Sequence, residues 1–331
     1  MADGRESHRL TRRDRRWWSG VAIGAALLVA GGIVIAYVIA DRSSPVSRRS
    51  TTRPSTTTQS SVPQSSVPQS SAAQSSVPPS SGPCGDRRAV TVPAPSGRDD
   101  TTALNAFFVS APNGSCVAFV RATYRLSGTL AISGKSGLDV RGNGAVLAAQ
   151  TQADRNRRHL VIAKSSNIAV NDLQVVGANQ QHLRSQAQLE AQHGVEIADH
   201  SSDVRLVNLR VDEVYGDAIY IGGDSTNILV QGGAFSHTGR QGLAVTAAKG
   251  VTLDGFSVQN AGRYCIDLEP NVPRVAVEQV TIRNTSATCP KGWLIVHSAT
   301  VRGVFSANNS YNGSPMPDGR LTPGIYPKRP S

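Results

Sequence analysis

The sequence predicts an all-β solenoid, in which short strands form coils that stack on one another. One apolar pattern occurs five times, at steps of 24, 24, 23 and 28 residues, with corresponding positions Gly194, Ala218, Gly242, Cys265 and Trp293. Within each copy, as at Asp217–Ile221, apolar residues alternate with variable ones, which is typical of a half-buried strand. A second series of short apolar segments follows, for example from Val204. One unit of this size cannot bury its own apolar side, so a repeat of this length indicates stacked coils.

The N-terminal part differs from the repeats in composition. Residues 1–18 form a basic tail, and residues 19–41 include a stretch from Gly20 to Ala40 that contains no charge. A helix of that length can cross a hydrocarbon layer of roughly 30 Å. A cleaved signal peptide is the alternative, but its apolar region is usually only about 7 to 15 residues long. We therefore expect a single-pass signal-anchor helix in the cell membrane, with a cytoplasmic N-terminus and an extracytoplasmic folded domain.

Residues 42–82 are rich in Ser, Thr, Pro and Gln and contain repeats such as Gln59–Pro63. This composition cannot bury enough surface to offset the entropy of ordering, so we predict a disordered linker. The β-helix domain is then expected over residues 83–313. A proline-rich, irregular tail is expected over residues 314–331.

The charge of the chain excludes one class of partner. The net charge is +11, but residues 83–331 carry 24 basic and 19 acidic side chains and so only about half of it. No basic run is interleaved with aromatic residues, so nucleic acid is not an expected partner.

All four cysteines follow the predicted linker, and their even number in an exported segment suggests disulfides. Cys265 and Cys289 are 24 residues apart, which is one repeat, so stacking places them on adjacent coils. The strand spacing of about 4.8 Å suits a disulfide. Cys84 and Cys116 would fasten the start of the domain, and four buried thiols are the alternative. The chain has no Cys-x-x-Cys motif, so neither a metal nor another cofactor is expected.

Residues 97–110 predict a short helix with an apolar stripe, capped by Asp99 or Asp100. Such a helix would cover the open end of the solenoid. Together with Ala122-Thr-Tyr124 and Gly142-Asn-Gly144, the segment Gly97-x-Asp-Asp-Thr-x-Ala-Leu104 resembles the opening of the pectate-lyase-like superfamily.

The repeats are similar to the right-handed parallel β-helix domain of that superfamily, over about residues 86–312. The resemblance implies this fold and a polysaccharide or cell-envelope glycan as partner. The family includes polysaccharide lyases, polygalacturonases, uronan epimerases and phage tailspikes, and some members have no known activity. The motifs of polygalacturonases, the aspartate cluster of pectate lyases and the Asp-Pro-His of alginate-type epimerases are missing, so the resemblance selects no reaction.

Strand alternation predicts which side chains face outward. One outer column contains Glu196, Tyr220, Ala244, Asp267 and Ile295, and a second contains Ala198, Gly222, Thr246, Glu269 and His297. Directly before the strands come His193, Asp217, Arg240, Arg263, Tyr264 and Lys291. Carboxylates, arginines, a tyrosine and a histidine are therefore expected around a shallow trough lined by small residues.

Two kinds of chemistry fit these residues. Asp267 and Glu269 are two apart on one strand, about 6.5 Å between Cα atoms, a separation that suits the acid and base of glycoside hydrolysis. For elimination or epimerisation, Tyr220 would transfer the proton and Arg240 would neutralise the developing charge. We predict catalytic roles for these four residues and substrate binding by Glu196, Asp217, Arg263 and His297. Solvated carboxylates and arginines that pair between coils are the alternative.

One insertion interrupts the repeat, because 36 residues separate Ile168 from Val204 where 24 are expected. The polar segment 177–192 would lie over or beside the trough, as a substrate lid or as a solvated loop. The sequence thus predicts an anchored polysaccharide lyase, epimerase or glycoside hydrolase. A glycan-binding module without catalysis and a structural surface protein are the alternatives.

Overall fold

The computed structural model describes residues 84–152, 155–184, 186–271, 275–298 and 300–327. The predicted cytoplasmic tail, membrane helix and linker, residues 1–82, lie outside these ranges. Within them, no helix has both the length and the apolar character needed to span a membrane.

The described part contains one helix, α1 (Thr101–Ser110), and 27 short strands. Numbered along the chain, the first fourteen are β1 (Ala89–Thr91), β2 (Cys116–Ala118), β3 (Thr123–Leu126), β4 (Leu130–Ser133), β5 (Asp139–Arg141), β6 (Val146–Ala149), β7 (Leu160–Ala163), β8 (Ser166–Asn171), β9 (Gln174–Val176), β10 (Val195–Ala198), β11 (Ser202–Val207), β12 (Arg210–Asp212), β13 (Ile219–Ile221) and β14 (Ser225–Gln231). The others are β15 (Ala234–Ser236), β16 (Leu243–Val245), β17 (Ala248–Asp254), β18 (Ser257–Gln259), β19 (Ile266–Leu268), β20 (Val277–Arg283), β21 (Ser286–Thr288), β22 (Leu294–Val296), β23 (Val301–Ala307), β24 (Ser310–Tyr311), β25 (Ser314–Pro315), β26 (Gly319–Leu321) and β27 (Gly324–Tyr326).

The strands form three sheets, to which successive coils contribute one strand each. The first sheet runs β1-β2-β5-β8-β11-β14-β17-β20-β23-β26, and the second runs β25-β24-β21-β18-β15-β12-β9-β6-β3. The third sheet, which carries the candidate site, runs β27-β22-β19-β16-β13-β10-β7-β4. Every pairing before the last coil is parallel, so the predicted parallel solenoid is confirmed for the described residues.

The predicted register is confirmed strand by strand in the third sheet. The first outer column stacks as Glu196, Tyr220, Ala244, Asp267 and Ile295. The residues between them, such as Ile197 and Ile221, are fully buried and fill the interior. A repeat of 23 or 24 residues therefore brings residues of distant sequence into direct contact on the outer surface.

Both ends of the apolar interior are covered. At the N-terminal end, α1 buries Leu104 and Phe108 against the first coils, and the Asp99 carboxylate accepts the N–H of Thr101 at 3.0 Å. Near the C-terminal end, Trp293 is fully buried in the core. Since its ring has no exposed surface, Trp293 has a packing role.

Both expected disulfides are present. Cys84 is bonded to Cys116 and Cys265 to Cys289, with Cα–Cα distances of 5.5 and 5.6 Å. The second bond links residues one repeat apart, as the sequence predicted. The described cysteines are therefore all paired, and the alternative of buried thiols is wrong.

The C-terminal segment differs from the expectation of an irregular tail at residues 314–331. Its strands β25, β26 and β27 pair antiparallel with β24, β23 and β22, one in each sheet. The last parallel coil would otherwise present three rows of unpaired backbone groups, which the tail satisfies. The sequence did not predict these strands, because each is only two or three residues long and the segment is rich in proline.

Candidate active site

A cavity of about 460 Å³ lies on the outer face of the third sheet. Its floor comes from the two predicted outer columns, and its walls come from segments that precede β7 and β10. The residues that line it are Arg155, Asn156, Arg158, Ala187, Gln188, Glu190, Ala191, His193, Glu196, Tyr220, Arg240, Ala244, Thr246, Glu269 and Asn271. The predicted trough is thus a half-open, strongly charged cavity.

The insertion at residues 177–192 forms one wall of the cavity. Glu190 fixes this wall to the coils, because its Oε1 accepts a hydrogen bond from Arg263 Nη2 at 3.0 Å. Its Oε2 lies 4.0 Å from Arg240 Nη1. Gly216 allows the insertion to approach, since a Cβ there would lie 2.6 Å from the Glu190 carbonyl oxygen. Arg263, predicted to bind substrate, does not line the cavity and instead holds its wall.

Tyr220 occupies the centre of the floor, with its hydroxyl between two polar side chains. Asn271 Nδ2 donates to the phenol oxygen at 3.0 Å, and the Thr246 hydroxyl lies 3.0 Å from the same atom. These contacts fix the position of the oxygen. Asn271 follows β19, so the phenol leans across two coils towards the segment that carries Glu269.

His193 stacks against the Tyr220 ring, with centroids 4.5 Å apart and planes at 17°. Burial, reinforced by the charges of Arg240 and Arg158, holds the pKa of His193 well below its ordinary value. Its ring is therefore neutral at physiological pH, and the 3.4 Å separation from Asp217 Oδ2 is no ion pair. Because Nδ1 accepts the backbone N–H of Asp217 at 3.0 Å, the network assigns the ring proton to Nε2. The sequence placed His193 near the site but gave it no role.

Asp217 was predicted to bind substrate, but it is completely buried and does not line the cavity. Burial raises the pKa of its carboxyl to about 7, although the nearby Arg240 opposes the rise. Oδ1 accepts the N–H of Gln241 at 2.9 Å and lies 3.7 Å from Arg240 Nε. Asp217 therefore lies beneath the surface of the cavity, where it contacts His193 and Arg240 and holds them in position.

Asp267 and Glu269 do not present a matched carboxylate pair to the cavity. Both point away from the core as predicted, but Asp267 is only 2 % exposed, whereas Glu269 lines the cavity. Gln241 donates to Asp267 Oδ2, and His297 Nε2 lies 3.1 Å from Oδ1. Burial raises the pKa of Asp267, which the charge of His297 opposes. The prediction of an exposed carboxylate pair is therefore wrong for Asp267, because the side chains of Gln241 and His297 cover it.

Glu196 and Arg158 face each other at the opposite end of the cavity, where the Arg158 guanidinium donates to the Glu196 carboxylate. Both line the cavity, so this end offers a paired anion and cation. His297 lies outside the lining, beside Glu269. Of the eight predicted site residues, Glu196, Tyr220, Arg240 and Glu269 meet around one space.

Comparison with known proteins supports the fold and identifies no closer relationship. No protein-family model and no curated protein matches the chain. The solved structure of an alginate lyase from Paenibacillus sp. str. FPU-7 is similar at a TM-score of 0.53 and 14 % identity, over 68 % of this chain and 77 % of that one. This similarity supports the parallel β-helix fold that the resemblance implied.

Two more distant structures are a tailspike protein of Acinetobacter baumannii bacteriophage Fri1, described as a capsular polysaccharide depolymerase, and a polygalacturonase from Erwinia carotovora ssp. carotovora. Their TM-scores are 0.48 and 0.44, with identities of 14 % and 13 %. They cover 68 % and 69 % of this chain, which spans 48 % and 78 % of theirs.

Proposed function

We propose that the β-helix domain is an enzyme that acts on a uronate-containing polysaccharide at this cavity, by elimination or epimerisation. The observation that carries the proposal is the convergence of a tyrosine hydroxyl, a neutral histidine and an arginine around one cavity. The alginate lyase of similar fold acts on a polysaccharide of that class, which agrees with this choice.

Elimination has three steps, and the side chains of this cavity can assist them. A proton leaves the carbon next to the uronate carboxylate, the bond from the neighbouring carbon to the glycosidic oxygen breaks, and a proton reaches that oxygen. The Tyr220 oxygen, held by Asn271, is placed to carry the proton between carbon and leaving oxygen. Arg240 balances the charge that develops on the carboxylate. In epimerisation the carbon takes a proton back on its other face.

His193 adds a hydrogen-bond donor without adding charge. In its neutral form the ring offers Nε2–H, as assigned from the bond that Nδ1 accepts. A neutral donor stabilises negative charge on a substrate oxygen as that charge develops. Its stacking on Tyr220 keeps this donor beside the proton-transfer group.

Hydrolysis fits the cavity less well. Since Asp267 is buried, Glu269 and Glu196 are the carboxylates of the floor that the cavity presents. They lie three strands apart, which is roughly 14 Å between backbones at about 4.8 Å per strand. Inverting glycosidases hold their carboxyl groups about 6.5 to 9.5 Å apart.

A glycan-binding module without catalysis is the second candidate. The observation that favours it is the pairing of charges, because Glu196 binds Arg158 and Glu190 binds Arg263. Paired charges present a static polar surface.

The test incubates the purified chain with a panel of uronate-containing and neutral polysaccharides. Ultraviolet absorbance of unsaturated products, new reducing ends and deuterium uptake from heavy water are followed together. We expect absorbance or deuterium uptake with a uronan, and a loss of about 10²–10⁴-fold in rate for Tyr220→Phe. Tyr311→Phe is the matched control, because that hydroxyl bonds to the Cys289 carbonyl in another sheet.

The outcomes separate the candidates. Reducing ends without unsaturation or deuterium uptake would show hydrolysis. Saturable retention of a glycan without any product would favour the binding module. A Tyr220→Phe variant as active as Tyr311→Phe would remove Tyr220 from the mechanism.

We also propose that the chain is anchored in the cell membrane through residues 20–40, with the β-helix domain outside the cytoplasm. The support is the uncharged stretch preceded by arginines. Fractionation tests it: the full chain should stay with membranes in alkaline carbonate, whereas a chain without residues 1–41 should be released. Release of both would contradict the anchor.

A further inference from the structure

Beside the cavity, three side chains that can ligate a metal come together. Asp267, Glu269 and His297 each offer a ligand atom, and these atoms all lie within 4.8 Å of one another. Asp267 lies on the outer face of β19, and Glu269 directly follows that strand. His297 follows β22 on the next coil, where its N–H bonds to the Leu268 carbonyl oxygen at 3.1 Å. The stacking of two coils thus creates the cluster from residues about 30 apart in sequence.

One atom of the cluster, Asp267 Oδ1, makes no hydrogen bond and lies beside the His297 ring. Asp267 is only 2 % exposed, and its Oδ1 makes no hydrogen bond, although His297 Nε2 is 3.1 Å away. The ring nitrogen is close to this oxygen, but the two do not meet hydrogen-bond geometry. A buried carboxylate oxygen without a hydrogen bond is costly, and an ion held between this oxygen and the imidazole would satisfy both.

The 3.1 Å between Asp267 Oδ1 and His297 Nε2 also fits two neighbouring ligands of one ion. Two neighbouring ligands at about 2.0–2.2 Å from a metal are roughly 2.8–3.6 Å apart in octahedral or tetrahedral coordination. The imidazole lone pair then points at the ion instead of at the oxygen. Gln241 Nε2 donates to the other oxygen, Asp267 Oδ2, and so orients the carboxylate as an outer partner commonly does for a metal ligand.

We propose that Asp267, Glu269 and His297 bind a divalent transition-metal ion, of which Zn²⁺ is the best match. An imidazole with two carboxylates suits such an ion, whereas Ca²⁺ takes six to eight oxygen ligands. Three protein ligands leave positions for water or substrate. Because Glu269 also lines the cavity, the ion lies at its edge, where a substrate carboxylate can reach it. The site does not depend on the proposed reaction, since ion binding is measured without substrate.

The test measures ion binding to the full chain by isothermal titration calorimetry, after treatment with a chelator and its removal. ZnCl₂ and CaCl₂ are titrated separately into the wild type and into Glu269→Gln, His297→Asn and His200→Asn. An asparagine amide reaches only as far as Nδ1 of the histidine it replaces, so it cannot reach the position of Nε2. His200 is exposed on a turn and gives the matched control.

We expect one Zn²⁺ per chain in the wild type and in His200→Asn, bound more tightly than Ca²⁺. Glu269→Gln and His297→Asn should each weaken Zn²⁺ binding by more than about tenfold. Both replaced side chains are partly exposed, so their circular dichroism without metal should match that of the wild type. No saturable binding, tighter binding of Ca²⁺, or Zn²⁺ affinity unchanged in both variants would overturn the site. A Zn²⁺ site in a chain inactive on every polysaccharide would leave the metal proposal standing and the proposed function without support.

Discussion

Asp217 makes the stability of this domain depend on pH in an unusual direction. Its pKa rises from the ordinary 3.8 to about 7 in the folded chain because the carboxyl is buried. Below pH 3.8 both folded and unfolded chains hold the proton. Between pH 3.8 and about 7 the unfolded chain releases the proton while the folded chain retains it, so the stability of the folded state falls as pH rises.

The size of this effect follows from the shift. About 3 pKa units at about 1.4 kcal/mol per unit give about 4 kcal/mol as the upper bound of the loss between pH 4 and 7. Above pH 7 the carboxyl is ionised in both states and the loss stays constant. In Asp217→Asn the side chain has no proton to release, and the amide oxygen still accepts the N–H of Gln241.

The difference in free energy of unfolding between Asp217→Asn and wild type should therefore grow by up to about 4 kcal/mol from pH 4 to pH 8, in favour of the variant. Urea denaturation at one-unit pH intervals measures it, and taking the difference removes any fixed effect of the substitution. Asp203→Asn, at an exposed position of β11, is the comparison variant, and its difference should change far less. If the Asp217→Asn difference is the same at pH 4 and pH 8, Asp217 is not a buried carboxyl that stays protonated.

Two further predictions concern the framework of the site. Cys289→Ser opens the 24-residue loop closed by Cys265 and Cys289, and should lower the free energy of unfolding by about 3 kcal/mol in a denaturant titration; a free energy of unfolding equal to that of the wild type would contradict it. Arg263→Ala removes a partly exposed ion pair with Glu190 and should speed hydrogen exchange at residues 186–192 by about two- to fivefold, as expected for up to about 1 kcal/mol. Arg283→Ala, which breaks an ion pair with Asp254 in the first sheet, should leave exchange at residues 186–192 unchanged.

The repeat predicted the stacking register because a parallel solenoid leaves little freedom. Once Gly194, Ala218 and Gly242 are aligned, each outer residue must lie beside its counterpart on the next coil, as Glu196 lies beside Tyr220. The same regularity placed Cys265 one coil from Cys289. The periodicity of the sequence was therefore enough to predict both the stacking register and this disulfide.

Exposure was not predictable in the same way. Alternation gives the direction of a side chain, but the coverage of the outer face depends on segments from elsewhere in the chain. Asp267 points outward and is nevertheless buried by Gln241 and His297, which contact it from neighbouring coils. His193 received no role because its stacking on Tyr220 depends on contact between coils.

The antiparallel strands β25, β26 and β27 have a consequence for how copies of this protein meet. A solenoid that ended on a bare parallel coil would accept another chain's strands on all three sheets at once, and each addition would expose a fresh acceptor. Here the polypeptide reverses direction and occupies those positions with strands from residues 314–326. These outermost strands are only two or three residues long and run against the direction of the coils, which disfavours the parallel addition of another copy, and shortening the chain there would remove this protection from all three sheets together.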